Sequence, residues 1–560
     1  MSAPPRRRKN TPRPVALVAL GAASLLALTA CASGATTAPV TDAGEPVVGG
    51  TLILEQWPDN AAFACVDPFQ TYWIEHRQVI RNYADSLTDQ DPETGEIVPW
   101  LATDWDISAD GLTYTFHLRD DVTFSDGTAF TADSVVLALE SAQATLQELP
   151  GAYGGVYVAG YESSTALDPT TVQVQFSTPN ASFLQGTSTT NLAILAASAY
   201  EATPEERCLG TANVGSGPFV LDAYTPGEGI DLSKRAGYAW ASELNDHQGE
   251  AYLDAIRINY VAEDSVRVGN LTSGASDIAW PRNPFTPEQI AQVEASGATV
   301  HSRSLPGPAY NLYVNAAEGA VLADENVRVA VSKAIDRATY AATIYGPDYP
   351  VVASAFDETT PFFVDHSADL AFDPEGAAAL LEESGWVLED GATYRTKDGE
   401  TLTIRQPITA DNPGDALLQD QLKAVGIDLQ LPVFQAAERA SIIAGGEYDL
   451  LVNYYTRADP GVLQWILDDR YAGSKAFAQS SADSQTVAAI KELFDEGLRQ
   501  SDPSARADVY ADLQELLIGT AVAIPVFERV QLAATGPDVH GFRYTSEAFL
   551  SYYDIWKSQE

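Results

Sequence analysis

Six histidines, at positions 76, 117, 247, 301, 366 and 540, and three cysteines are the residues of this 560-residue chain best suited to nucleophilic, acid–base or metal chemistry. No histidine belongs to an HExxH or any other ligand-spaced pair, and zinc-type cysteine spacing is missing. No metal site and no cofactor is therefore expected. The chain also lacks GxxxxGK followed by Ser or Thr, GxGxxG after a strand, and GxSxG. Gly215-Ser216-Gly217 flanks a serine with glycines, but at the wrong spacing for a nucleophile elbow. With 77 Asp and Glu, an apposed carboxylate pair of the glycosidase kind stays open on residue types alone.

Those acids also dominate the charge. Against 32 basic residues they give a formal net charge of −45, which repels phosphate backbones and anionic lipid, so nucleic acid is not an expected partner. Hydrophobic residues at 45% and charged residues at 19% describe a globular chain, and its length suits three to four structural units of about 150 residues. Met1 is the only methionine, which excludes a Met-rich adaptable binding surface.

The N-terminus reads as an address. Arg6-Arg7-Arg8-Lys9 and Arg13 precede an uncharged stretch from Pro14 to Ala30, the order of a secretory signal; a single-span anchor is the alternative. Leu28-Thr29-Ala30-Cys31 resembles a bacterial lipobox, which implies that Cys31 is lipidated and becomes the mature N-terminus. Residues 31–46 have the composition of a flexible tether. Removing residues 1–30 takes away five basic residues and moves the formal charge from −45 to −50. The expected location is extracytoplasmic, lipid-anchored to the outer face of the cytoplasmic membrane. In that compartment Cys65 and Cys208 suit a disulfide, closing a loop of 143 residues, with two separate buried thiols as the alternative.

The elements around these residues are mixed. Residues 112–118 and 171–176 alternate apolar and polar positions as half-buried strands do, and Val122-Thr123-Phe124 repeats the pattern before Ser125-Asp126-Gly127 turns the chain. Thr131 caps a helix through Val135, Val136 and Leu139. Val327, Ala330, Val331, Ala334 and Ile335 form one apolar helical stripe. Asp373-Pro374 opens a helix that stops at Gly385, and Asp502-Pro503 opens another through Val509, Leu513, Leu516 and Leu517.

Read in order, these segments resemble the extracellular solute-binding proteins of ABC importers, family 5, the peptide/nickel-binding group. The resemblance rests on Gly49-Gly50-Thr51-Leu52, Val66-Asp67-Pro68, Val98-Pro99-Trp100-Leu101-Ala102 and Ser108 to Phe116. It continues through Leu118-Arg119, Phe124-Ser125-Asp126-Gly127, Thr131 to Val135, Gly215 to Phe219, Asn326 to Ala330 and Ala334 to Arg337. It implies an α/β, two-lobed periplasmic-binding-protein fold (type II, Venus-flytrap) with an extra subdomain in the first lobe. By that analogy lobe I holds residues 47–90, 210–310 and 528–560, the inserted subdomain 91–209, and lobe II 311–527. No catalysis is implied; the partners are a small-molecule or peptide ligand and the importer's permease subunits. A sensory peptide-binding lipoprotein signalling to a membrane regulator is the alternative, and a secreted hydrolase a third reading.

The same resemblance places the ligand. Asn453 to Pro460 becomes a cleft loop in which peptide-binding members hold the ligand's α-amino group with an aspartate. This chain carries Tyr455-Thr456-Arg457 there, with Tyr454 before and Asp459 after. Arg457 suits a carboxylate, phosphate or sugar-like group, or else an internal salt bridge. Asp459, before Pro460, reads as structural. Trp280 and Trp57 end first-lobe strands, and Tyr310 or Tyr313 line the crossover while Leu312 and Val314 face the core. These aromatics are candidates for a ligand of mixed apolar and polar character, or else ordinary core.

Overall fold

The computed structural model describes residues 44–59, 64–149, 152–471 and 475–558. The signal segment, Cys31 and the tether up to residue 43 lie outside the described residues. Among the described residues no helix is long and apolar enough to cross a membrane.

Among the described residues the apolar positions settle into two large cores, one to a lobe, and a small third one from Val268 to Ala298 with Val530 to Ala534 on the first-lobe sheet. One core gathers residues from Leu52 to Trp280 and returns with Ala533 to Ile555; the other runs from Tyr310 to Val526. The first is built on a seven-stranded sheet. At its centre Thr51–Gln56 pairs in parallel with Ala255–Tyr260 on one side and with Ile278–Trp280 on the other. Val530–Thr535 and Thr299–Ser304 complete that edge in antiparallel register. A second, four-stranded antiparallel sheet carries Thr113–Leu118 and Thr171–Phe176, whose burial alternates along each strand. The second lobe centres on Tyr310–Val314, paired with Ala523–Phe527 and Leu450–Leu451.

Local chemistry explains the helix ends. Thr131 and Ser134 form a reciprocal capping box at Ala132–Glu148. Asp373 caps Pro374–Glu383 through the N–H of Gly376 at 2.8 Å, and Asp502 caps Pro503–Gly519 through that of Ala505 at 2.9 Å. The stripe from Val327 to Ile335 is buried throughout, although the helix itself, Glu325–Lys333, ends before Ala334. Val122 to Phe124 makes a single bridge, Thr123 to Ala129, around its turn rather than a full strand. Gly215 belongs to no nucleophile elbow: a Cβ there would lie 1.9 Å from the Tyr83 carbonyl oxygen, so the glycine serves close packing.

Cys65 and Cys208 are bonded, tying the loop ahead of Ile74–Tyr83 to the short helix Pro204–Cys208. Beside the bond, Arg207 pairs with buried Asp67 at 2.6 Å. Replacing both cysteines with alanine is expected to lower the unfolding free energy by about 2–5 kcal/mol in a denaturant titration. The unreduced, denatured chain from residue 32 onward should titrate no free thiol.

Candidate functional site

In an open α/β sheet, the carboxyl ends of parallel strands that lead off in opposite directions leave a crevice. Thr51–Gln56, with a parallel neighbour on each side, places that crevice beside Trp57. Trp57 is 37% exposed and its ring lies 6.0 Å from the Arg267 guanidinium. At the start of Ile74–Tyr83, Trp73 carries the Arg282 guanidinium 4.8 Å above its ring, and Arg282 lies 3.6 Å from Glu75. Below them buried His76 reaches the Asp59 carboxylate at 3.4 Å; that carboxylate also accepts from the Tyr224 hydroxyl and from the Gly227 N–H at 2.6 Å.

The second lobe answers with tyrosines. Tyr310 stacks on Phe527 with ring centroids 4.3 Å apart, receives a hydrogen bond from Asn412 at 3.1 Å, and meets Tyr454 at 6.4 Å. Tyr454 is 44% exposed and lies 5.1 Å from the Arg529 guanidinium. Tyr455 packs edge-on against Tyr72 of the first lobe and tilted against Tyr153. The Tyr72 hydroxyl donates to the Tyr454 carbonyl at 3.4 Å. Trp57, Tyr454 and Tyr455 thus stand on rigid supports with apolar faces and polar tips, whereas Tyr310 is buried, its ring covered by Phe527 and its hydroxyl bonded by Asn412.

Three other expected ligand residues do not reach an open surface. Trp280 is only 2% exposed, because its strand is flanked on both sides and its ring joins the first core. Tyr313, also 2% exposed, is the hydroxyl partner of Asn311 in a strand buried at every position. Hence Tyr310 and Tyr313 do not share an open face set against Leu312 and Val314. Arg457 is 1% exposed: its guanidinium lies 4.4 Å from the Tyr157 ring and its Nε donates to Gln185 at 3.3 Å. The internal salt bridge weighed for it is not formed among the described residues either.

What holds the loop is the buried Asp459. Its carboxylate accepts from Arg506 at 2.8 and 3.1 Å, from the Ser182 hydroxyl at 2.8 Å and from the Gly461 N–H at 2.8 Å. Burial alone would raise its pKa; the charges of Arg506 and Arg457 outweigh that and hold it at about 2. The rest of the loop is pinned from the first lobe: Arg77 donates to the Thr456 carbonyl at 3.0 Å and Gln90 to that of Ala458 at 3.1 Å. Gly307 passes beneath it with φ +116°, and a Cβ there would lie 2.4 Å from the Tyr455 carbonyl oxygen. Sequence reasoning missed Tyr72, Trp73, Arg506 and Arg529. The Tyr-Trp pair just ahead of a helix was a readable signal; the arginines gave none.

Two cored lobes that meet at a pinned, tyrosine-bearing loop are the arrangement of a two-lobed binding protein. The family model for "Bacterial extracellular solute-binding proteins, family 5 Middle" matches residues 96–473, and the chain belongs to that family. It is a substrate-binding protein of an ABC importer, extracytoplasmic, and not an enzyme. Among curated relatives, the glutathione-binding protein GsiB of Escherichia coli K12 is 24% identical over 500 residues, covering 88% of this chain and 92% of its own. Among solved structures, NikA from Brucella suis in complex with Fe(III)-EDTA superposes with a TM-score of 0.77 at 22% identity, over 91% of this chain and all of NikA. DppA from Helicobacter pylori in complex with the peptide STSA gives 0.69 at 23% identity, over 92% and 99%.

Two consequences of the Asp459 clasp can be measured. Asp459→Ala strands a buried guanidinium and is expected to cost about 3–5 kcal/mol of unfolding free energy. A carboxyl depressed from 3.8 to about 2 stabilises above its unfolded pKa and loses that contribution as pH falls through about 2. Between pH 4 and 2 the wild type should therefore lose about 2 kcal/mol that an Asp459→Asn variant does not lose, read by denaturant titration.

Proposed function

We propose that this protein is a lipid-anchored receptor that captures an oligopeptide or similar small polar solute by lobe closure and hands it to the permease of its importer. The observation that carries the reading is the pairing of two large cores joined by two short crossovers, 305–309 and 528–529, with Tyr455 packed against both cores where the lobes meet. Lobes linked at so few backbone positions move by bending there, and a ligand touching both favours the closed state. We take lobe I as 47–90, 210–310 and 528–560, an inserted subdomain as 91–209 and lobe II as 311–527; the first core runs unbroken through lobe I and the inserted subdomain.

The solute class follows from the walls and from the relatives. GsiB is a glutathione-binding protein, DppA was solved with a peptide and NikA with a chelated metal. All three ligands are small and polar. Trp57, Tyr454 and Tyr455 offer such a ligand stacking faces with N–H or hydroxyl tips. Arg282, held loosely by Glu75 and 42% exposed at its side chain, is the cation best placed to meet a ligand carboxylate. Arg457, Trp280 and Tyr313 serve from behind, fixing the loop and the strands.

A thermal-shift titration of residues 32–560 with short peptides, glutathione included, tests the reading. Binding at 100 times the dissociation constant adds about 2.7 kcal/mol, a saturable upward shift. No shift from a folded sample would turn the assignment to non-peptide polar solutes. Tyr454→Ala should weaken the peptide so found by about 1 kcal/mol without changing the melting temperature of the free protein. Lipidation is tested separately: Cys31→Ser should move the protein from the membrane fraction to the soluble one.

A further inference from the structure

Both crossovers converge on a third segment, 357–360, from the second lobe. Asp357 donates its N–H to the Gly307 carbonyl at 2.9 Å, and the Thr360 hydroxyl receives the Gly307 N–H at 2.8 Å. The Asp357 carboxylate accepts from the N–H of Arg529 at 2.8 Å and from its Nε at 2.9 Å. The Glu528 carboxylate accepts the N–H of Glu358 at 2.7 Å. Thr359 closes the arrangement by donating to the Ser304 carbonyl at 2.9 Å. Asp357 is fully buried and Glu528 is 2% exposed.

The charges in this junction do not balance. Two buried carboxyls face one guanidinium, and Arg529 shares its Nε–H between Asp357 and the Pro308 carbonyl and spends its remaining donors on the carbonyls of Leu305 and Pro306 and on the Thr456 hydroxyl. Among the described residues, the other charged or titratable groups packed here bring no second cation. Glu358 is exposed and adds a third carboxylate, Tyr349 donates to the Glu528 carbonyl at 2.8 Å, and Arg303 is engaged by Glu93 and the Pro92 carbonyl. An unpaired negative charge in a dry site is costly, so the junction retains a proton. Arg529 bonds Asp357 twice, yet burial and the neighbouring Glu528 charge push the Asp357 carboxyl well up as well, so the retained proton belongs to the Asp357–Glu528 pair.

We propose that the interlobe hinge is proton-gated: loss of the proton held between Asp357 and Glu528 loosens segment 357–360 from the 528–529 crossover and shifts the lobes towards the open form. Water reaches the ionised carboxylate only when those segments part, so the charged state and the parted state favour each other. Burial, with the Glu358 charge adding to it, pushes the Glu528 carboxyl up to about 7, which sets the window. A carboxyl raised in the folded state stabilises fully below its unfolded pKa and loses that contribution as pH rises through about 7. The inference rests on lobe movement as proposed above but needs no solute to test it.

The test is small-angle scattering of ligand-free residues 32–560 from pH 5.5 to 8.5 at fixed ionic strength. The expected result is a radius of gyration that rises through a single-proton midpoint near pH 7, and a Glu528→Gln variant whose radius stays at the low-pH value throughout. A flat wild-type radius overturns the proposal, as does a Glu528→Gln variant that keeps the wild-type rise. Where that variant fails to fold, the wild-type series decides alone. Because no ligand is present, a flat radius leaves solute capture standing, and a failed peptide screen leaves the scattering result standing.

Discussion

The chain passes between its two cores only at 305–309 and 528–529, and a single guanidinium, that of Arg529, is bonded to both passages. It donates to carbonyls of the first, belongs by its backbone to the second, and pairs with Asp357 from the second lobe. Its face is turned to the ring of Tyr454, an exposed wall residue. The crossover between the lobes is thus packed against an exposed aromatic of the candidate site. A receptor whose signal is its own shape needs that economy: what touches the ligand must also be able to move the hinge.

The loop 454–461 shows how the same constraint works elsewhere. It is built by the second lobe, yet its carbonyls are held by Arg77 and Gln90 and its aspartate by Ser182 together with Arg506. Tyr454 and Tyr455 therefore project from a backbone braced on both sides. Bracing lowers the conformational entropy that ligand binding would otherwise have to remove. It also removes Arg457 from the reach of solvent, because a loop tied down this tightly turns its interior side chains into the protein.

Much of this architecture was legible in residue patterns. Capping aspartates followed by proline marked helix starts at 374 and 503, and alternation marked the strands at 113 and 171, since both signals depend on neighbours in sequence. The exposure of the candidate site residues was only partly legible. Trp57 and Trp280 end adjacent parallel strands and look equivalent in the sequence, but one is exposed and the other enclosed. What separates them is packing by distant segments, which no local pattern encodes. Arg457 failed as a surface residue for the same reason: Tyr157 and Gln185, which cover it, lie roughly three hundred positions earlier. The hinge acids Asp357 and Glu528 carry no signal among 77 others.

The bond between Cys65 and Cys208 turns everything between them into a covalent ring that contains the whole four-stranded sheet and its capped helix. A protease that cuts one peptide bond anywhere inside that ring opens it without dividing the molecule. Both ends of the cut remain joined through sulfur to the parent chain, and the strands between them remain paired. In an envelope exposed to foreign proteases, this section of the receptor can be nicked once and still be one piece.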